Sequence, residues 1–397
     1  MTSAVVSHDV VVLGSGVSGL LIAGELARSH DVLVIEQAER IPRTKYWLTD
    51  NGSAAANEWL TSAVDTHYAE MAFTASDGTS YIANGDYVLW HTDKLIDLLI
   101  STVQSRSGTI ALGHRFVNLA MSHDGPIVVA NDKRIRCKLI IDCMGHGSPI
   151  IYAKRAIDIL GYYLLYGATF PCAEMLTPVA LHNLMLSARP GYIEAFPTSD
   201  GFLHIVLIVP LRGISDKSDI RSDFQFIVTK SSYARHISDS QNRSFLGGVV
   251  PVGRMRRHAL DNVFFFGEAG QVNPAASATA LTRMLYSYEA VAARLSACLR
   301  DGRLSARDLS AAAEPTANRL NERLQRALFR SILTWTSDDY RKVIEELITI
   351  DDPEFVNGLI FGNIDERWAA LARRAGELVR TRSTKLLAAL VRGLLVS

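Results

Sequence analysis

The chain has 397 residues, with 41 basic and 41 acidic side chains and a formal net charge of zero. That length holds a large core shared between two or three domains, and the balanced charge leaves no global field to draw nucleic acid. Although 48 % of the residues are hydrophobic, no apolar run reaches the 18 or so residues of a membrane-spanning helix.

The apolar N-terminus lacks the basic region of a signal peptide and runs straight into a glycine motif. Cys137, Cys143, Cys172 and Cys298 show no CxxC pairing, so the expectation is a cytoplasmic protein with neither a disulfide frame nor a metal site. Val10 to Gly19 reads V-V-V-L-G-S-G-V-S-G: a strand, a glycine turn and the start of a helix expected over Val17 to Ser29. A second apolar run, Val32 to Ile35, ends in Glu36, and the βαβ unit closes near Gln37. Gly14 allows the tight turn out of the strand, Gly16 lets the backbone approach a pyrophosphate, and Gly19 lets the helix pack close to the sheet. The N–H groups at the helix start, around Val17 and Ser18, face the phosphates. Glu36, with Gln37 beside it, is placed to accept hydrogen bonds from an adenosine ribose. The unit therefore implies a bound adenine dinucleotide.

Ile41 to Tyr46 reads as an irregular loop and Ala54 to Val64 as a helix. Thr79 to Tyr87 has strand and turn character, with Asn84-Gly85 as a hairpin signal. His91 to Val103 is helical by the spacing of Leu95, Ile96, Leu98, Leu99 and Val103. Short strands are expected over Phe116 to Val129, and a buried strand over Leu139 to Asp142. From Gly161 to about Val252 the pattern becomes β-like (Tyr162 to Phe170, Tyr192 to Phe196, Phe202 to Val209) and suggests a separate sheet. Leu260 to Phe266 is another buried strand, Ser277 to Leu299 is helical, and residues 304 to 397 are helix-patterned with breaks at Pro315, Pro353 and Gly362.

Two further segments accompany the first: I-I-D-C-M-G-H-G-S-P (Ile140 to Pro149) and F-F-F-G-E-A-G-Q-V-N-P (Phe264 to Pro274). In the last, a strand delivers a turn, an acid and a proline before a helix, whose N-terminus can stabilise negative charge. With these in place the chain resembles the FAD-containing superfamily of aromatic hydroxylases, geranylgeranyl reductases, halogenases and lycopene cyclases, and is most similar to the lycopene-cyclase-like branch. The resemblance runs over nearly the whole chain: Asp142 and Gly145; Tyr166-Gly167; Phe196-Pro197; Gly248, Pro251 and Gly253; and Gly267, Ala269 and Pro274. It implies an α/β fold with a Rossmann-type FAD-binding domain (1–160 and 248–300), an inserted β-sheet substrate domain (161–247) and a C-terminal helical region (301–397). It implies FAD as cofactor, with Gly14, Gly16, Val17, Ser18, Gly19, Glu36, Gln37, Lys45, Asp142, Gly145, Gly267, Glu268, Ala269 and Ser277 around it.

The departures narrow the activity. Lycopene cyclases carry an acidic pair on the strand after the aromatic-Pro turn; Phe202 to Val209 has no acid. Met144 precedes Gly145 where NADPH-dependent hydroxylases have Asp-Gly. The halogenase Trp-x-Trp-x-Ile-Pro signature is absent. No Arg opens the helix after Trp90-His91, Glu268 replaces the commoner Asp, and Ser277 stands where relatives have Gly.

Pro274, His204 and Glu194 are the catalytic candidates. Pro274 belongs beside the flavin, imidazoles such as His204 and His91 titrate near neutrality, and a carboxyl in an apolar pocket has a raised pKa and can act as an acid. Lys45, Tyr46 and Trp47 follow the second strand of the βαβ unit, where relatives run past the isoalloxazine, and are candidates to line the active site; an exposed loop is the alternative. Asp142 serves the cofactor or merely caps a turn. Arg254-Met255-Arg256-Arg257-His258 could hold an anion or be a solvated basic turn. In the tail, Arg367 to Ser397, seven basic residues face one acid, Glu377, and an apolar stripe runs through Leu386, Leu387, Leu390, Val391, Leu394 and Leu395. It suits peripheral membrane contact or packing on the core. The expected function is a flavin-dependent monooxygenase on an apolar polyketide- or terpenoid-like metabolite, with NAD(P)H or a flavin reductase as reductant. A redox-neutral cyclase or isomerase is the runner-up, ahead of a halogenase, and a non-enzymatic flavin-binding scaffold or partner protein is the third reading.

Overall fold

The computed structural model describes residues 5–43, 45–172, 179–183, 191–214, 220–230, 232–237, 244–271, 273–313, 319–362 and 388. Its centre is a six-stranded sheet ordered β17 (Ala259–Leu260), β18 (Val263–Phe265), β11 (Leu139–Asp142), β2 (Val10–Leu13), β3 (Val32–Ile35), β7 (Thr109–Ala111). All but β17 run parallel. β2, β3 and β11 are apolar and buried at almost every position because both faces of the sheet are covered. Val10, Val12, Val32 and Val34 pack on helices α1 (Val17–Leu26), α3 (Thr92–Ser105) and α6 (Ala280–Arg300). Val11, Leu13, Leu33 and Ile35 face the other way, as the two-residue period demands. There they meet Val128, Ala130 and Ile135 of a four-stranded sheet, ordered β1 (Val6–Ser7), β10 (Lys133–Arg136), β9 (Gly125–Ala130), β8 (Phe116–Ser122). The chain leaves β2 toward β3 on one side and returns to β11 on the other. The carboxyl end of β2 is therefore a topological switch point, where open α/β sheets form their ligand crevice.

The third sheet has eight strands: β16 (Ser244–Met255), β12 (Ile157–Pro171), β15 (Phe202–Leu211), β14 (Tyr192–Pro197), β13 (Val179–Asn183), β5 (Val64–Thr74), β6 (Ser80–Trp90), β4 (Leu48–Asp50). The sheet expected from residues 161–247 thus also takes in three strands from before residue 91, joined through the parallel pair β13 and β5. Asn84-Gly85 is not a hairpin: β6 runs straight through it. The β5–β6 turn lies at residues 75–79, where the Ala75 N–H donates to the Thr79 carbonyl at 2.8 Å, the Asp77 carboxylate accepts from the Thr79 N–H at 2.9 Å, and Gly78 has φ +92°. Gly85 instead makes room for the Tyr87 ring, which a Cβ would overlap.

The helix expected over Ala54 to Val64 is split into α2 (Asn51–Ala55) and a 3-10 turn, Glu58–Ala63. Buried Asn57 breaks it, donating to the carbonyls of Ser53 (2.8 Å) and of Leu285 on α6 (3.0 Å). The strand over Leu260 to Phe266 is likewise interrupted, by Asn262 at φ +62°, into antiparallel β17 and β18.

The remaining helices are α4 (Pro149–Ala153), α5 (Ile220–Lys230), α7 (Ala306–Ala312), α8 (Arg319–Ile332), α9 (Ser337–Ile350) and α10 (Pro353–Phe361). Pro353 occupies the first turn of α10 and Gly362, at φ +70°, ends it, which explains those two breaks; Pro315 lies outside the described residues. Leu324, Leu328, Ile332, Ile344, Leu347, Val356 and Leu359 from α8, α9 and α10 cluster with Tyr81 and Ala83 of β6, so the helices roof one face of the large sheet. The amphipathic tail lies outside the described residues, Ala388 apart. Among the described residues no helix is long and apolar enough to cross a membrane.

Candidate functional site

Three distant segments meet at the carboxyl end of β2. Gly14 has φ +98°, and a Cβ there would stand 2.7 Å from the Cys143 carbonyl oxygen. A Cβ on Gly19 would collide with the Gly14 carbonyl, so the strand–helix crossing admits no side chain at either position. Gly16 differs. It is exposed, with nothing within 4 Å of its would-be Cβ. It caps α1 with no side-chain hydrogen bond and no acid follows in the first turn. The N–H groups at this helix start are thus left for an external acceptor, an arrangement suited to a diphosphate. Val17 turns its side chain into the core, leaving its backbone as its offering. Glu36 is held as an acceptor: Oε2 takes the Ser15 N–H (3.0 Å) and hydroxyl (2.9 Å), and Oε1 the Ala38 N–H (3.1 Å). Gln37 is exposed beside it.

From the second segment, Asp142 is fully buried and accepts from the Met144 N–H (3.0 Å) and from the Ser148 hydroxyl. Burial pushes its carboxyl up to about 6 against those two hydrogen bonds. Its observed work is to cap the turn that presents Gly145, at φ +66°. From the third segment, Gly267 (φ +65°) abuts Ser18, whose Cβ lies 2.5 Å from where a Gly267 Cβ would stand; Ala269 is buried. Glu268 reaches back past Gly145, its Oε2 3.1 Å from that glycine's would-be Cβ. It accepts from Lys45 Nζ at 2.8 Å and faces His146 Nδ1 at 3.6 Å. Burial would raise the Glu268 carboxyl, but Lys45 and His146 hold it down at about 2.

A cavity of about 440 Å³ opens from this cluster, beginning at Lys45, Tyr46, Trp47, His146 and Glu268. Its far walls are apolar: Phe73, Leu165, Phe196, Val206 and Ile208 from the large sheet, and Leu328, Trp335 and Leu347 from the helical roof. The first residues of α6 (Ala280, Leu281) and Thr279 before them also face it. α6 has no side-chain cap and no acid in its first turn, so its positive end is directed at the cavity's edge. Ser277 and Thr279 both donate to the Ile360 carbonyl, tying α10 across the opening. Glu194, on β14 opposite Val206, is the acid among the apolar walls, and burial pushes its carboxyl up to about 7.

Of the catalytic candidates, Glu194 lines this cavity, whereas Pro274 and His204 do not. His204 is buried, its Nδ1 2.8 Å from the Thr169 hydroxyl and its ring stacked 3.5 Å from that of Tyr46; burial lowers its imidazole to about 4. Pro274 packs against Gly362, and α6 starts at Ala280 rather than directly behind the proline. His91 is the N-cap of α3. His146, between two glycines, and the aromatic rings supplied by Tyr163, Tyr192, Trp335 and Tyr340 were not among the sequence candidates. The Gly145-His146-Gly147 pattern could have drawn attention to the first, whereas the rings have no local signal.

Residues 9–172 match the family model of lycopene cyclase proteins. No curated protein matches the chain in sequence. Among solved structures, a geranylgeranyl bacteriochlorophyll reductase-like protein from Thermoplasma acidophilum superposes with a TM-score of 0.71 at 14 % identity, over 95 % of this chain and 99 % of that one. A variant of the halogenase PltM in complex with FAD gives 0.71 at 12 %, over 97 % and 94 %. The anhydrotetracycline hydroxylase OxyS from Streptomyces rimosus gives 0.63 at 17 %, over 91 % and 77 %. The chain therefore shares the fold of these solved structures, and about two-fifths of it, residues 9–172, match the lycopene cyclase family model.

Proposed function

We propose that this chain binds FAD and is a flavin-dependent oxidoreductase, a monooxygenase acting on a largely apolar metabolite of polyketide or terpenoid type. The observation that carries the reading is the apolar cavity of about 440 Å³ that opens beside Lys45, His146 and Glu268, the last two from the second and third glycine-bearing segments. Bound FAD would supply the electron transfer and dioxygen activation that side chains cannot perform. The chain's own contribution is binding and electrostatics. Gly16 and the start of α1 suit the diphosphate, and Glu36 a ribose hydroxyl. Lys45 and Glu268 stand at the mouth of the cavity, where the start of α6 favours negative charge. The apolar walls exclude water from the reacting region and select an apolar substrate. The reductant belongs to the same proposal: NAD(P)H directly, or a partner flavin reductase. Reducing the protein anaerobically with NADH, NADPH or such a reductase, then admitting dioxygen with candidate substrates, tests the reading. Substrate-dependent dioxygen uptake and an oxygen-bearing product are expected.

A second reading is favoured by Glu194. Its carboxyl retains a proton near neutrality inside an apolar cavity, which suits protonation of a carbon–carbon double bond in a redox-neutral cyclisation. The acid missing from β15 would thus be supplied by its neighbour β14. A product of unchanged mass distinguishes this reading from oxygenation.

A further inference from the structure

A second cavity, of about 620 Å³, shares no lining residue with the first. Asn273, Pro274 and Ala275 form part of its wall, and the next residue, Ala276, belongs to the first cavity. Five arginines line it: Arg254 and Arg256 from the end of β16 and just beyond, Arg283 from the first turn of α6, and Arg323 and Arg326 from α8. The acid in the lining is Glu322, 3.4 Å from Arg326. Arg256 is engaged by Asp158. Neither Arg254 nor Arg323 makes a salt bridge among the described residues, and both are exposed at the rim. Asn273 is only 6 % exposed, yet neither Nδ2 nor Oδ1 of its side chain has a hydrogen-bond partner. A buried amide without partners is costly, and so is a ring of like charges around one hollow. A polyanion in the space would offset the like charges and accept from the Asn273 Nδ2 donor.

We propose that this cavity binds a phosphate-bearing small molecule, with its phosphate oxygens held by Arg254, Arg283 and Arg323 and by the Asn273 amide. A carboxylate offers one charge to several guanidiniums, whereas a diphosphate offers several charges and the oxygen geometry that paired guanidinium forks match. The volume exceeds that of a diphosphate alone and leaves room for an organic moiety. The site does not depend on the flavin reading, because its walls are separate from the crevice at Gly16.

Isothermal titration of the full chain at low ionic strength tests it, with inorganic pyrophosphate and uridine diphosphate as probes and acetate as the monoanion control. Saturable binding of at least one diphosphate is expected, with acetate silent. Affinity should fall about tenfold in Arg254→Gln and in Arg323→Gln, the loss of one charge-assisted hydrogen bond. Both positions are exposed, so the variants should keep the parent's melting temperature. Asn273→Leu should weaken binding as well. Tighter binding of uridine diphosphate assigns the site to a nucleotide-like ligand; equal binding assigns it to the phosphates alone. No saturable heat with either probe, or binding that both arginine variants leave unchanged, overturns the proposal; a diphosphate held at the start of α1 instead would be insensitive to both.

Discussion

Lys45 and Glu268 are 223 residues apart in the chain, and their side chains meet at 2.8 Å. The contact joins the loop after β3 to the turn after β18 and places a cation and an anion at the mouth of the apolar cavity. Because Lys45 is the nearest charge holding down the Glu268 carboxyl, Lys45→Met should raise the pH at which that group titrates. The sign follows from linkage. The folded group sits at about 2, below its ordinary 4.5. Its contribution to stability is therefore present above the unfolded value and is lost as pH falls through the folded one. The variant should lose stability at higher pH on acidification than the parent. At neutral pH the difference should stay below about 1 kcal/mol, since Lys45 is half exposed. Urea midpoints between acid and neutral pH check this.

Glu194 gives the opposite dependence. Its folded carboxyl is raised to about 7 from 4.5, so the stability it contributes is full below the unfolded value and lost as pH rises through the folded one. Between acid and mildly alkaline pH the parent should lose stability on the order of 3 kcal/mol through this group, and Glu194→Gln should flatten that slope. If Glu194 is also the proton donor of a cyclisation, turnover should fall above about pH 7 in the parent and be lost in the variant. If the enzyme is a monooxygenase that only packs substrate against Glu194, turnover should survive. Urea titrations and pH–rate profiles of both proteins separate these outcomes.

The first βαβ unit was legible because its constraints are local: the turn at Gly14, the crossing at Gly19 and the acid at Glu36 lie within 23 residues of one another in the chain. Glu194 was legible as a carboxylate on an apolar strand. The large sheet was not, because β13 pairs with β5, more than a hundred residues earlier, and no local pattern encodes that partner. Asn84-Gly85 has the composition of a turn, but the glycine answers the ring of Tyr87. Asn57 ends a helix through bonds to α6, again a tertiary cause. His204 attracted attention by its chemistry, and the stacked ring of Tyr46 is what covers it.

Gly267→Ala should be among the more damaging single-methyl changes. The position combines φ +65° with a would-be Cβ 2.5 Å from that of Ser18, so strain and overlap add. A loss of about 2 kcal/mol or more is expected, read as a lower denaturant midpoint with an unchanged slope. Gly16→Ala should instead leave the midpoint within about 1 kcal/mol, because nothing lies within 4 Å of its Cβ, while weakening flavin uptake by crowding the diphosphate.

If the three glycine-bearing segments enclose one flavin, the chain must take up FAD on reconstitution. The full chain, stripped of any bound flavin, is titrated with FAD while protein-bound flavin absorption and fluorescence quenching are followed, beside Glu36→Arg. Saturation at one FAD per chain is expected, with affinity at least tenfold weaker in the variant through loss of a charge-assisted ribose contact. Failure of the parent to take up FAD, or equal uptake by Glu36→Arg, would contradict it.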